Sequence, residues 1–292
     1  MLPAGLLSKV RHIELRTRRL VNDLFAGEYH SVFKGQGLEF TEVRPYYAGD
    51  DVRLIDWNVS ARARRLHVKR FQEERELTVL LAVDMSGSVD FGSGGCAKGE
   101  VAAELCALVA FSAIRNNDKV GLLIFTDHNE LFIPPRKGRT QGLRVIREVL
   151  AFRAERRGTD IAHAAEYVTR ALTRRAIVFL VSDFLDEGYE RALSILGRKH
   201  DVIAVTIEDP REQALPDVGL LELEDAETGR PVVLDTHQAR GRAAYARRMR
   251  ARRERVAELF PRLGVDHILI DTGQSYVDPL VRFFKGRARR RN

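Results

Sequence analysis

Cysteine is nearly absent from this chain: Cys96 and Cys106 are the only two in 292 residues, and they form no Cys-x-x-Cys pair. That excludes a disulfide-stapled scaffold and favours a reduced setting, so a cytoplasmic location is expected. No apolar stretch approaches the ~20 residues that a membrane-spanning helix needs. The opening Met1-Leu2-Pro3-Ala4-Gly5-Leu6-Leu7-Ser8-Lys9 is too short in apolar residues for a signal peptide, and the chain reads as soluble. The eight histidines are scattered and form no His-Glu-x-x-His pair. The glycine-rich Gly92-Ser93-Gly94-Gly95-Cys96-Ala97-Lys98 lacks the Gly-Lys-Ser/Thr of a phosphate loop and reads as a flexible lead into a helix.

Acidic residues are outnumbered, 41 against 48 Lys and Arg, for a net charge of +7. The excess sits mostly in residues 240–255 and 287–291. Ala and Glu at helical spacing in the first segment point to an exposed basic helix face rather than a nucleic-acid reader. No zinc finger, aromatic RNA-binding signature or clear helix-turn-helix accompanies it, so no specific nucleic acid is expected. The basic tail favours acidic partners or a membrane surface, which leaves peripheral membrane contact open.

What is present is a 45% apolar content, enough for a sizeable core, arranged in two rhythms. Residues 6–25 carry apolar side chains at helical spacing and predict an amphipathic helix. Residues 38–75 alternate short β-like runs with turns, and 66–71 read as a half-exposed strand. From residue 77 the order becomes strand (77–83), helix (99–115), strand (120–125), short edge strand (131–134), helices (142–152 and 161–172), and strand (176–181). Helix (189–196), strand (202–207), an inserted hairpin near 218–236, a long helix (237–263) and a last strand (265–270) follow. Continuous Val/Ile/Leu strands alternating with helices predict an α/β fold: a doubly wound, mostly parallel sheet covered on both faces. The expected division is an N-terminal helix plus β-rich region over 1–75, then the α/β domain over 76–292.

Three separated pieces then converge. In a sheet of order 3-2-1-4-5-6, strands 1 and 4 are neighbours at the switch point, where ligands bind. Asp84 of Asp84-Met85-Ser86-Gly87-Ser88 follows strand 1, and Asp183 of Ser182-Asp183-Phe184 follows strand 4. Thr159 of Gly158-Thr159-Asp160 opens the helix leading into strand 4, so its loop lies on the same rim. Asp84, Ser86, Ser88, Thr159 and Asp183 offer only hard oxygen ligands, the set that Mg²⁺ or Mn²⁺ prefers. Neutral hydroxyls leave such an ion electrophilic toward a carboxylate from a partner. Asp160 either assists from behind these ligands or caps its helix. Asp-x-Ser-x-Ser by itself reads equally well as a turn cap. With no base beside the set, it points to adhesion through a metal rather than catalysis by one.

This pattern resembles a von Willebrand factor A-type domain with a metal-ion-dependent adhesion site. The stretches Gly35-Gln36-Gly37-Leu38-Glu39-Phe40, Val43-Arg44-Pro45-Tyr46-Tyr47-Ala48-Gly49-Asp50-Asp51-Val52-Arg53 and Ile55-Asp56-Trp57-Asn58-Val59-Ser60-Ala61-Arg62 resemble the signature of the bacterial domain-of-unknown-function 58 family. The resemblance implies a protein-interaction module partnering a MoxR-type AAA+ ATPase in protein or metal-cofactor maturation. Many relatives carry membrane helices near the N-terminus, and this chain departs from them there. Physically, Gly49-Asp50-Asp51 suits a tight turn, and Arg44, Arg53, Asp56 and Arg62 suffice for a charge network clamping the block to the α/β domain. Trp57, the single tryptophan, is expected to anchor that junction. A second partner surface and a catalytic site are the other readings of the block. The competing functions for the whole chain are a Mg²⁺-dependent hydrolase acting on phosphates and a non-specific nucleic-acid binder.

Overall fold

The computed structural model describes residues 37–74, 77–94 and 96–291, in two compact units divided between Glu76 and Leu77. The helix expected over 6–25 lies outside the described residues. The smaller unit is an antiparallel pair, β1 (Gly37–Pro45) and β2 (His67–Glu74), in register from Gly37↔Glu74 to Pro45↔His67. Between them run a 3-10 turn (Val52–Leu54) and a helix, α1 (Trp57–Ala63), where β-like runs and turns are expected from the sequence. Asp56 starts α1 as its N-cap, accepting from the N–H groups of Asn58 and Val59.

The larger unit is a six-stranded sheet. Its first members are β3 (Thr78–Asp84), helix α2 (Lys98–Arg115), β4 (Lys119–Phe125) and β5 (Asn129–Arg136). Helices α3 (Arg139–Ala151) and α4 (Ile161–Ala171) lead to β6 (Ile177–Ser182), α5 (Glu190–Lys199) and β7 (Asp201–Glu208). A short α6 (Pro210–Gln213) and a separate hairpin, β8 (Leu220–Glu224) with β9 (Pro231–Asp235), precede α7 (Ala239–Arg262). Strand β10 (Asp266–Asp271) and helix α8 (Val277–Arg291) complete the unit.

The strand order is β10-β7-β6-β3-β4-β5, the doubly wound order, parallel throughout except for β5. Strand β5 runs antiparallel at the edge and continues through Pro134-Pro135 instead of ending there. An edge position tolerates residues without an N–H. The ladder slips between Val120 and Leu122, and Gly121 lies opposite Pro135, where a Cβ would come within 2.8 Å of the ring.

Strands β3, β4, β6 and β7 are buried along nearly their whole length, as sheets covered on both faces require. One face packs Leu80, Phe125 and Leu180 against α4, α5 and the Val256–Phe260 end of α7. Helix α2 crosses the other face against β3, β4 and β7, which is why it is apolar almost all round. Helix α8 packs on β10 with Leu280 and Phe284 buried. Its Arg287, read from sequence as part of a basic tail favouring acidic partners or a membrane surface, is buried and bridges Asp201 and Asp266. Helix α7, by contrast, buries only Val256 and Phe260 and exposes most of its arginines. Both cysteines are free; Cys106 is buried and its thiol is pushed up to about 12 by that burial. No described helix is long and apolar enough to cross a membrane.

His200 gives the core an acid-sensitive point. It is 1% exposed, and its Nδ1 accepts from the Ala176 N–H at 3.2 Å, so the folded ring is neutral. Burial first, then the charges of Lys199 and Arg175, pushes its pKa down to about 4. The unfolded ring titrates near ~6.5, so between these values the unfolded chain binds a proton that the folded chain refuses. This contribution to stability is whole above about pH 6.5 and is lost as pH falls toward 4. Urea midpoints measured from pH 7 down to 4.5 are expected to fall, and to fall less steeply in His200→Gln.

Candidate functional site

Asp84 is the last residue of β3, and burial of the strand from Val79 onward carries its carboxylate to a nearly dry position, 3% exposed. Oδ1 accepts from the Ser86 N–H at 2.9 Å and Oδ2 from the Ser182 hydroxyl at 2.6 Å. No cation hydrogen-bonds to it among the described residues. Desolvation, then the nearby charge of Asp183, pushes its pKa up to about 6. The chain turns at once into a 3-10 turn over Gly87–Asp90, which sets the Ser86 and Ser88 hydroxyls 3.3 Å apart.

Asp183 leaves the neighbouring strand. The Val83↔Val181 register brings the two carboxylate-bearing ends side by side. Its turn is held by Phe184, a left-handed residue at φ 53° whose ring is buried against Tyr189 and Phe260. That conformation costs a non-glycine residue about 1–2 kcal/mol, which the packing of the ring offsets. Asp183 Oδ1 accepts from the Leu185 N–H at 3.1 Å. Its Oδ2 accepts from Lys98 Nζ at 2.8 Å, a partner that the sequence reading did not foresee.

The Thr159 segment is tied to both strand ends. The Gly87 N–H donates to the Arg157 carbonyl at 2.9 Å, and the Ile161 N–H donates to Asp186 at 2.9 Å. Thr159 thus lies between the serine turn and the loop after β6. Asp160 caps α4, accepting from the His163 N–H at 2.7 Å. Of its two possible roles, capping is the one seen.

A cavity of about 20 Å³ lies at the centre, lined by Asp84, Ser88, Lys98, Ser182 and Asp183 among others. That is room for about one water-sized guest, for which ~10–15 Å³ is the lower limit. No histidine lines it, and no group of three or more His, Cys, Asp or Glu that would hold a metal exists among the described residues. The set is therefore of the hydroxyl-rich kind. It fits a hard cation: a buried carboxylate with no cation hydrogen-bonded to it among the described residues, two adjacent hydroxyls and a second carboxylate at hand. Ser182 joins the set as a second residue missed in the sequence, where it reads only as the end of a strand.

Behind the cavity, Asp209 fixes the glycine-rich loop. It is fully buried and accepts from the Ser93 N–H at 2.9 Å, the Ser93 hydroxyl, the Arg211 N–H at 2.8 Å and the Thr272 hydroxyl at 2.8 Å. Burial opposes ionisation here, but these hydrogen bonds win and bring its pKa down to about 2. Asp209 also caps α6 in a reciprocal box with Glu212, a signal legible in Asp209-Pro210-Arg211-Glu212. Ser93, in the stretch 92–98 that reads from sequence as a flexible lead, is anchored by these bonds.

The signature residues of the smaller unit do local work. Arg44 grips Asp50 through two bonds of 2.8 and 2.7 Å, and Asp50 closes its own turn by accepting from the Tyr47 N–H. Hydrogen bonding from Arg44 holds the Asp50 carboxyl below its usual range. Asp51 caps the 3-10 turn through Arg53 N–H, and Asp56 caps α1 with Lys69 3.7 Å away. Within the smaller unit, then, Arg44 and Asp50 form a local pair, and Asp51 and Asp56 serve as caps. Trp57 is the first residue of α1 and is 68% exposed.

The β8–β9 hairpin reaches the serine turn. A Cβ on Gly87 would stand 2.0 Å from the Ala226 carbonyl oxygen, so only glycine permits this approach. Arg157 links the two sides, with Nη1 2.6 Å from Glu224 and its carbonyl bound to Gly87.

Comparison with known proteins gives one family and several relatives. A family model described as "protein of unknown function DUF58" matches residues 42–255. An uncharacterized protein of Mycobacterium tuberculosis (strain ATCC 25618 / H37Rv) is 32% identical over 289 residues, covering 97% of this chain and 90% of that protein. One from Mycobacterium bovis gives the same figures. Among solved structures, the conserved hypothetical protein BatB from Bacteroides thetaiotaomicron is 18% identical with a TM-score of 0.46, covering 73% of this chain and 99% of that one. The von Willebrand factor A domain of SpRpn10 is 11% identical with a TM-score of 0.40, covering 70% and 94%.

The contact at Gly87 yields a direct test. Gly87→Ala forces the hairpin off the serine turn, at a cost of about 1–3 kcal/mol, the usual range for overpacking. A lower urea midpoint and faster proteolysis within residues 225–229 are the expected outcome. An unchanged midpoint would show that the approach tolerates a side chain.

Proposed function

The chain belongs to the DUF58 family, and from that membership and the rim of its sheet we propose a divalent-cation-dependent protein-interaction module. The observation that carries the proposal is the Asp84 carboxylate, buried beside the Ser86 and Ser88 hydroxyls with no cation hydrogen-bonded to it among the described residues. Asp84, Ser86, Ser88, Thr159 and Asp183 would hold Mg²⁺ or Mn²⁺. When bound, the ion would supply a positive charge and a free coordination position for an acidic side chain of a partner. Ser182 orients Asp84 by donating to Oδ2, and the Leu185 N–H orients Asp183. The hydroxyls that line the cavity meet carboxylates and other hydroxyls rather than a histidine base, which favours binding over hydrolysis.

The partner in this reading is a MoxR-type AAA+ ATPase, and the module acts as its adaptor in protein or metal-cofactor maturation. Support comes from the block at residues 35–62, which resembles the family signature. A cytoplasmic site of action fits an ATP-driven partner and two free thiols.

Calorimetric titration with Mg²⁺ and Mn²⁺ tests the metal. Wild type is expected to bind, and Asp84→Ala with Asp183→Ala to lose binding; equal affinities would sink the reading. Affinity capture with and without Mg²⁺ tests the partner. An AAA+ ATPase is expected with wild type in Mg²⁺, and not with Ser86→Ala plus Ser88→Ala.

A further inference from the structure

The cavity at the switch point already contains a cation of the protein's own. Lys98, the first residue of α2, is buried, with its side chain 4% exposed. Its ammonium donates to Asp183 at 2.8 Å and to Glu212 at 2.6 Å. A buried ammonium is tolerable only when paired, and here it has two carboxylates of different character. Asp183 belongs to the rim and its turn is strained. Glu212 is fixed from behind, because its other oxygen accepts from the Asp209 N–H at 3.1 Å in the capping box of α6. Asp209 in turn holds Ser93, at the head of the segment that delivers Lys98. The ammonium is therefore tethered to a rigid partner and lent to a rim one.

Asp84, Asp183 and Glu212 with Lys98 leave two negative charges uncompensated, the number that a divalent ion cancels. Lys98, Asp84, Ser88 and Asp183 line the same 20 Å³ cavity, so an ion there would feel the ammonium as a close like charge. We propose that Lys98 is a resident counter-cation: it occupies Asp183 while no divalent ion is bound, and it retires to Glu212 when one enters and takes Asp183. Lys98 thereby sets the affinity of the site and keeps the ion-free rim folded. This inference rests on the divalent-cation reading above and assigns the regulation of that site.

The test compares Mn²⁺ titration and thermal melting of wild type, Lys98→Met, Glu212→Gln and the Asp183→Asn pair with and without Lys98→Met. Removing the ammonium is expected to tighten Mn²⁺ by about tenfold or more, as expected for a close like charge. The ion-free Lys98→Met protein should melt below wild type, and Mn²⁺ should raise its melting point by more than it raises that of wild type. Glu212→Gln, which leaves Asp183 as the only carboxylate for Lys98, should bind Mn²⁺ more weakly than wild type. In the Asp183→Asn background the gain from Lys98→Met should shrink, because the contested carboxylate is gone. Should Lys98→Met fail to fold, Glu212→Gln carries the test, and wild-type affinity there overturns the inference. Equal Mn²⁺ affinity in wild type and Lys98→Met overturns it too, while leaving the metal reading intact. No Mn²⁺ binding to wild type at millimolar concentration overturns both.

Discussion

Two like charges at the ends of adjacent strands set the terms for the rest of this rim. Parallel pairing of β3 with β6 fixes Asp84 beside Asp183, and burial of nearly the whole of both strands removes the water that would screen them. The surrounding groups answer that repulsion. The Ser182 hydroxyl and the Ser86 N–H solvate Asp84, while Lys98 and the Leu185 N–H solvate Asp183. The strained turn at Phe184 and the capping box at Asp209 are the means by which those donors and their supports are held in place.

Much of this was legible in the sequence because it follows from periodicity. Unbroken apolar strands such as 77–83 and 202–207 are only stable inside a covered parallel sheet, and their order with the helices dictates the switch point. Asp84, Ser88 and Asp183 were found by that route and share the cavity. Lys98 was not, since its partners stand 85 and 114 residues away and a lysine after glycines reads as solvated. Helix α8 was hidden by its arginines, although Leu280 and Phe284 four residues apart mark a buried face. The cap at Asp56 was a readable helix start that the alternation around it obscured.

The basic balance of the chain is partly architecture. Arg287 joins β7 to β10 through Asp201 and Asp266, and Arg252 donates to the carbonyls of Phe184 and Asp186. Arg252 therefore steadies the loop that carries Asp183. A guanidinium suits both tasks because its planar fork serves two acceptors at once. Counting charges along the sequence overstates what remains for ligands, because guanidinium groups such as these are taken up by the fold.

The β8–β9 hairpin meets the serine turn at Gly87 through Ala226, and meets the Thr159 segment at Arg157 through Glu224. Its outer arm carries Leu220 and Val233, 76% and 62% exposed, while its inner end rests on the residue between the two serine hydroxyls. With the Ala226 carbonyl oxygen so close, the hairpin walls off one side of the turn that spaces the two hydroxyls.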